Sequence, residues 1–132
     1  MTKPSAVFPE GRQELYKKNR YSAAIRSGDL LFVSGQVGSR EDGSPEADIA
    51  AQIRLAFDNL GAVLAAAGCT FRDVIDVTSF HVDPENHAAM MMAVKDEIFP
   101  GPDYPNWTAV GVTWLSGFHF EIKAVARIPA TG

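Results

Sequence analysis

A chain of 132 residues, 46% of them hydrophobic, can bury one core and is short for two, so residues 1–132 are read as a single domain. The net charge of −4, with scattered basic residues whose tightest group is Lys17, Lys18 and Arg20, argues against a nucleic-acid partner, which needs a dense cationic surface. The single cysteine, Cys69, excludes an intrachain disulfide, MTKPSAVFPEGR lacks the apolar run of a signal peptide, and no segment approaches the roughly 20 apolar residues of a membrane span; a cytoplasmic protein with no membrane partner is expected.

Residues 1–20, with Pro4, Pro9, Gly11 and many charges, are predicted to form an irregular arm with at most a short strand around Ala6, Val7 and Phe8. Residues 21–26 and 30–36 read as strands on either side of Ser27-Gly28-Asp29, a tight turn, and so as a hairpin. A loop follows over residues 37–47, marked by Gly38, Asp42, Gly43, Ser44 and Pro45. From 48 to 67, Ile49, Ile53, Ala56, Phe57, Leu60, Val63, Leu64 and Ala67 recur at helical spacing opposite Arg54, Asp58 and Asn59, and Gly68 supplies a terminator. Cys69, beyond that helix with no basic neighbour, reads as a packed residue rather than a nucleophile. Residues 74–82 alternate as a strand. Pro84 and Glu85 open a second helix to about Phe99, with Met90, Met91, Val94 and Ile98 for its buried side, and Pro100, Gly101, Pro102 and Pro105 end it.

The last segment, YPNWTAVGVTWLSGFHFEIKAVARIP (104–129), reads as a hairpin turning at Leu115-Ser116-Gly117, with Trp114 opposite Phe118. In that register the even residues Val110, Val112, Trp114, Phe118, Phe120, Ile122, Ala124, Ala126 and Ile128 form an apolar face. The odd face sets Trp107, Ala109, Gly111 and Thr113 beside His119, Glu121, Lys123 and Arg127, small residues against titratable ones, as in a partly covered cleft or a subunit contact. Gly111 would lie across from Glu121. The class is therefore α+β: two helices on one face of a mixed sheet, whose other face must be wetted or buried against another copy in a closed symmetric oligomer.

LLFVSGQVG (30–38), AQIRLAFDNLGAVLAAAGC (51–69), VIDVTSFHVDPEN (74–86) and the closing FEIKAVARIP together resemble the Rid family, the reactive intermediate deaminases, also called YjgF or RutC-like and, in older usage, L-PSP endoribonucleases. The resemblance covers residues 20–129, and YPNWTAVGVTWL with VFPEGRQELY looks most like the YjgH branch. It implies a chorismate-mutase-like fold, a homotrimer with a central β-barrel, and ligand clefts between subunits. It also implies hydrolysis of enamines or imines such as 2-aminoacrylate to 2-oxo acids and ammonia, without a cofactor.

By the same resemblance Glu121 takes the place of the glutamate that positions or activates water, Tyr21 that of a cleft tyrosine, and Ser34 and Gly35 that of the cleft floor. In the family's proline-any-arginine-Ser/Thr-any-valine motif this chain has Pro105-Asn106-Trp107-Thr108-Ala109-Val110. Trp107 thus stands where an arginine holds the substrate carboxylate, Ala109 where a cysteine is common, and Met90 to Met92 where the second helix often supplies an asparagine. One indole N–H replaces a charged bidentate fork.

Glu121 then has two readings: an ion pair with Lys123 or Arg127, or a general base whose pKa burial raises. Trp107 could fill the cleft or, with the space beside Ala109 and Gly111, wall it for a planar ligand. His81, His87 and His119 lack metal-ligand spacing, so no metal is expected, and Ser34 has no His or Asp placed by sequence to activate it. The leading expectation is a trimer binding a small carbonyl, enamine or imine metabolite, with hydrolytic deamination as its reaction and a substrate other than 2-aminoacrylate. The alternative is a non-catalytic ligand-binding or regulatory protein. RNA cleavage fits poorly with an acidic chain that has no paired histidines.

Overall fold

The computed structural model describes residues 4–130. Six strands form one sheet in the order β1-β2-β3-β6-β4-β5: β1 (Ser5–Val7), β2 (Ala24–Ser27), β3 (Leu30–Val37), β4 (Val74–His81), β5 (Asn106–Gly111) and β6 (Phe120–Arg127). Neighbours are antiparallel except β4 and β5, which run parallel as a crossover through a helix requires. Between them lie α1 (Gln13–Asn19), α2 (Ile49–Ala66) and α3 (Pro84–Ile98). The sheet is mixed, the class α+β, and the architecture the chorismate-mutase-like one.

α2 forms where its apolar spacing places it. Asp48 caps its start by accepting the Ala51 amide, and Gly68 lies just beyond its end at φ +78°. By length and composition α2 is apolar enough to cross a bilayer, yet Ile53, Ala56, Phe57, Leu60, Val63 and Leu64 are buried in the core. Across them the sheet contributes Leu31, Val33, Val77, Phe120, Ile122, Ala124 and Ala126, and Phe57 stacks on Phe120 with centroids 5.5 Å apart. α3 adds Met91 and Val94 from the same side.

Two expectations fail. The arm is not irregular throughout: besides β1 it carries α1, whose Tyr16 enters the core. The closing hairpin does not form either. β6 inserts between β3 and β4, and β5 pairs with β4, so β4 separates the two supposed arms. A parallel β4-α3-β5 crossover leaves β5 at the sheet edge, and residues 112–119 then carry the chain back to the central slot as a loop. The apolar alternation of β6 is as expected, with Phe120, Ile122, Ala124 and Ala126 buried. On the first arm Val110 is 39% exposed and Trp114, outside any strand, 72% exposed.

Among the described residues, neither α2 nor α3 covers the opposite sheet face. Register places Phe32 and Val125 there, then Lys123 with Thr78 and Thr108, then Glu121 with Phe80 and Val110. Phe32 is 47% exposed on this face.

Leu60 is fully buried between α2 and the sheet. Leu60→Ala is therefore expected to lower unfolding free energy by about 2–5 kcal/mol, read from urea denaturation midpoints at unchanged slope.

Candidate functional site

A cleft of about 580 Å³ opens where the end of β3 and the start of β6 meet α1 and the 112–119 loop. Gly35, Gln36, Val37 and Glu121 come from the strands, Arg12, Leu15, Tyr16 and Asn19 from α1 and its N-cap, and Trp114, Leu115, Ser116 and Phe118 from the loop; Tyr21, Ser39 and Gly43 complete the lining. Its volume suits a small metabolite or a somewhat larger ligand.

Glu121 reaches this cleft because β3 is irregular. The pairing of β3 with β6 shifts between Val33 and Gln36, so Ser34 and Gly35 lie in a bulge opposite the carboxylate. A Cβ on Gly35 would fall 2.6 Å from Glu121 Cδ and Oε2, so only glycine leaves the carboxyl where it stands. Glu121 is half-buried and, among the described residues, in no ion pair. Burial pushes its pKa above the usual carboxylate range, and the nearby Lys123 charge only partly opposes this. Within the chain Glu121 forms no ion pair with Lys123 or Arg127 among the described residues, and Arg127 lies 3.8 Å from Asp29.

Tyr21 is half-exposed at the rim, edge-on to Tyr16 with ring centroids 5.0 Å apart. Its hydroxyl pKa is raised by burial first, then by Tyr16 and by the Glu121 charge. Ser34 Oγ donates to the Ser22 carbonyl at 2.8 Å and its amide to the Ala23 carbonyl at 2.9 Å, so Ser34 anchors the segment carrying Tyr21. Gln36 Oε1 accepts from Tyr16 O–H at 3.2 Å while its amide donates to the Ser34 carbonyl at 3.1 Å, which ties α1 to the bulge.

Arg12 begins α1. Its Nη1 donates to Ser39 Oγ at 2.9 Å, and Nη2 to the Ser39 carbonyl at 2.9 Å and, at longer range, to Asn59 Oδ1 at 3.5 Å. Asn59 is itself fixed, its Nδ2 donating to the Val37 and Ser39 carbonyls.

Trp107, Ala109 and Gly111 lie elsewhere. Trp107 pairs with Val77, Ala109 with Ser79 and Gly111 with His81, which places all three on the helix-covered side, the reverse of Glu121. Gly111 does not lie across from Glu121; Phe80 and Val110 share that row. The Trp107 indole packs edge-on to Phe99 at 5.7 Å, lies 4.0 Å beneath Lys95 Nζ, and donates Nε1–H to Ser79 Oγ at 2.9 Å. Ser79 Oγ lies 2.8 Å from His81 Nε2, and burial lowers the His81 pKa. Within the chain Trp107 therefore neither walls nor fills the Glu121 cleft.

The structure thus brings Tyr21, Gly35 and Glu121 together, with Ser34 supporting them. Arg12 and Tyr16 are not marked as site residues by the sequence reading, although the helix formers of Gln13-Glu14-Leu15-Tyr16-Lys17-Lys18 point to the helix that carries them, and Trp114 and Phe118, expected on an apolar strand face, line the cleft from a loop instead. Among the described residues no cluster of His, Cys, Asp and Glu is placed to hold a metal, and Cys69 is buried with a raised thiol pKa.

The family model described as Endoribonuclease L-PSP matches residues 11–128. RutC family protein YjgH of Escherichia coli (strain K12) is 73% identical over 129 residues, covering 98% of each chain. A solved structure of protein YJGH superposes with a TM-score of 0.94 at 72% identity, covering 98% of this chain and 100% of that one. TdcF of Escherichia coli (strain K12), whose name assigns it provisionally to the reactive intermediate deaminases, is 31% identical over 110 residues, 80% of this chain and 84% of its own. An E. coli TdcF structure with bound serine superposes with a TM-score of 0.75 at 32% identity, over 81% of this chain and 87% of that one.

Because Glu121 holds a proton more readily folded than unfolded, the native state binds the extra proton between about pH 4.3 and its raised folded value, and stability falls as pH rises through that window. Glu121→Gln is therefore expected to raise Tm at pH 7, with the gain vanishing near pH 4. Paired thermal melts at both pH values check this; a lower Tm at pH 7 would reveal a partner that stabilises the carboxylate.

Proposed function

The chain belongs to the Rid family of YjgF- and RutC-like proteins, and from that membership we propose that it is a cofactor-free hydrolase of small enamines or imines, with Glu121 directing the attacking water. The observation that carries this reading is the half-buried Glu121 carboxyl, raised in pKa, without an ion-pair partner among the described residues, in a cleft beside Tyr21. A carboxylate so perturbed is matched to proton transfer nearer neutrality than an ordinary glutamate.

The reaction follows from that placement. Water adds to the carbon of the C=N bond while Glu121 takes its proton. The nitrogen takes that proton from Glu121 to give the carbinolamine; Glu121 then removes the hydroxyl proton and passes it to the nitrogen as the C–N bond breaks, leaving a carbonyl compound and ammonia. Serine bound to the TdcF neighbour is in keeping with an amino-acid-sized ligand in such a fold. In the homotrimer that the family resemblance implies, Trp107 of a neighbouring copy would stand where the family's arginine holds the substrate carboxylate, a deficit on the order of 2–5 kcal/mol, so the preferred substrate differs from 2-aminoacrylate.

The uncovered sheet face supports a homotrimer with a central barrel. Phe32, Phe80, Val110 and Val125 would leave water there, and a second copy would complete the cleft at its open side. The Trp107 substitution also favours a second reading, a ligand-binding module without turnover.

A coupled assay for ammonia release from imines generated in situ separates the two. Turnover that falls at least ~100-fold in Glu121→Gln is expected of the hydrolase, with a rate that rises with pH through a midpoint above the ordinary carboxylate range. Altered ligand affinity with no product would leave the binding module. Sedimentation equilibrium is expected to give three copies per particle, and Phe32→Asp to dissociate them.

A further inference from the structure

Arg12 is a cation with no carboxylate partner: among the described residues it enters no ion pair, and its recorded acceptors are the neutral Ser39 hydroxyl, Ser39 carbonyl and Asn59 amide oxygen. Three of the five guanidinium N–H donors are thereby used, which leaves Nε–H and one Nη1–H. The side chain is half-buried and lines the same cleft as Glu121. A guanidinium held rigidly by neutral acceptors keeps its charge for something else, and a charged partner would restore the solvation it loses by burial.

The two charged groups are set apart. Arg12 is anchored on Ser39, two residues beyond Val37, the cross-strand partner of Glu121. The charge that acts on the Glu121 carboxyl is Lys123, not Arg12. Aromatic surface from Tyr16, Tyr21, Trp114 and Phe118 lines the cleft alongside them.

The geometry points to Arg12 as the anchor for a carboxylate on the far end of the ligand, several bonds from the carbon that Glu121 addresses. This deepens the reading of the cleft as the ligand site and rests on it. The substrate class becomes imines of ω-oxo or longer-chain oxo carboxylates, in which the acid group is remote from the C=N bond. Substrates carrying the acid directly on the reacting carbon, as three-carbon enamino acids do, place their carboxylate short of Arg12.

The probes are the oxo compounds that hydrolysis would release: 5-oxohexanoate, its neutral counterpart hexan-2-one, and pyruvate, titrated into the full-length protein by NMR. 5-Oxohexanoate is expected to bind at least tenfold more tightly than either of the others, and to lose that advantage in 0.5 M sodium chloride and in Arg12→Gln. Arg12→Lys is expected to keep part of the advantage. Equal binding of the acid and the ketone to the unmodified protein overturns the proposal whether or not Arg12→Gln folds, as does an advantage that Arg12→Gln retains at unchanged Tm. Ammonia release assays separate the two readings: a remote-acid preference without turnover keeps the Arg12 anchor and removes the hydrolase, whereas turnover without that preference does the reverse.

Discussion

β6 is paired along both edges, to β3 and to β4, and its alternation of buried Phe120, Ile122, Ala124 and Ala126 with Glu121, Lys123, Val125 and Arg127 fixes the facing of every neighbouring strand. Paired residues share a face, so Val33 and Val77 must point with Ala124 toward α2, and Phe32 must point with Val125 away from it. A slip of one residue in β6 would drive Glu121, Lys123 and Arg127 under the helices. The core and the cleft thus depend on a single register. The pairing of β6 is irregular at two places, between Val74 and Asp76 on β4 and at the Ser34-Gly35 bulge on β3, and the second lies where the carboxylate needs room.

That bulge joins strain-free packing to chemistry. Gly35 gives Glu121 its place by offering no Cβ, Ser34 hydrogen-bonds the segment that carries Tyr21, and Gln36 holds Tyr16 of α1. Three consecutive residues therefore set the floor, one wall and the closure of the cleft. α1 has only seven residues, too few to hold a helix by its own hydrogen bonds. It persists because Tyr16 is buried and Arg12 is pinned to Ser39. The cleft wall and the ordering of the N-terminal arm are the same set of contacts.

What the sequence made legible were features with a local period. α2, β4, α3 and the face of β6 follow from spacing within one segment, and Gly68 bounded the long helix at its end. Strand partners are not local. Val110 and Val112 alternate with Ala109 and Gly111 as well for an edge strand beside β4 as for the arm of a hairpin, and Leu115-Ser116-Gly117 makes a tight turn in either case. The hairpin assumption then transferred the odd residues of β5 to the face of Glu121, whereas the register through β4 sets Val110, not Gly111, in the row of Glu121. Tyr21, Gly35 and Glu121, which motif likeness placed at one cleft without reference to strand order, line the same cavity. α1 was missed because its apolar content is little more than Leu15 and Tyr16, and that is too sparse for a period.

Trp107 shows how far a substitution can reach beyond its own position. Its indole is a donor only, so Ser79 Oγ must accept, and that buried hydroxyl makes no further hydrogen bond among the described residues except with His81 Nε2. Donating its own proton there keeps Nε2 an acceptor and His81 neutral, in agreement with the lowered His81 pKa. Lys95 meanwhile lies over the ring face, where it gains from the π-electrons of an indole. An arginine at 107 would replace that attraction with repulsion between two cations, and would set a charge beside a hydroxyl already committed to His81. The surroundings of Trp107 on β4 and α3 are thus matched to a neutral aromatic donor, and a charged clamp could return only if Lys95 and the Ser79–His81 pair changed with it.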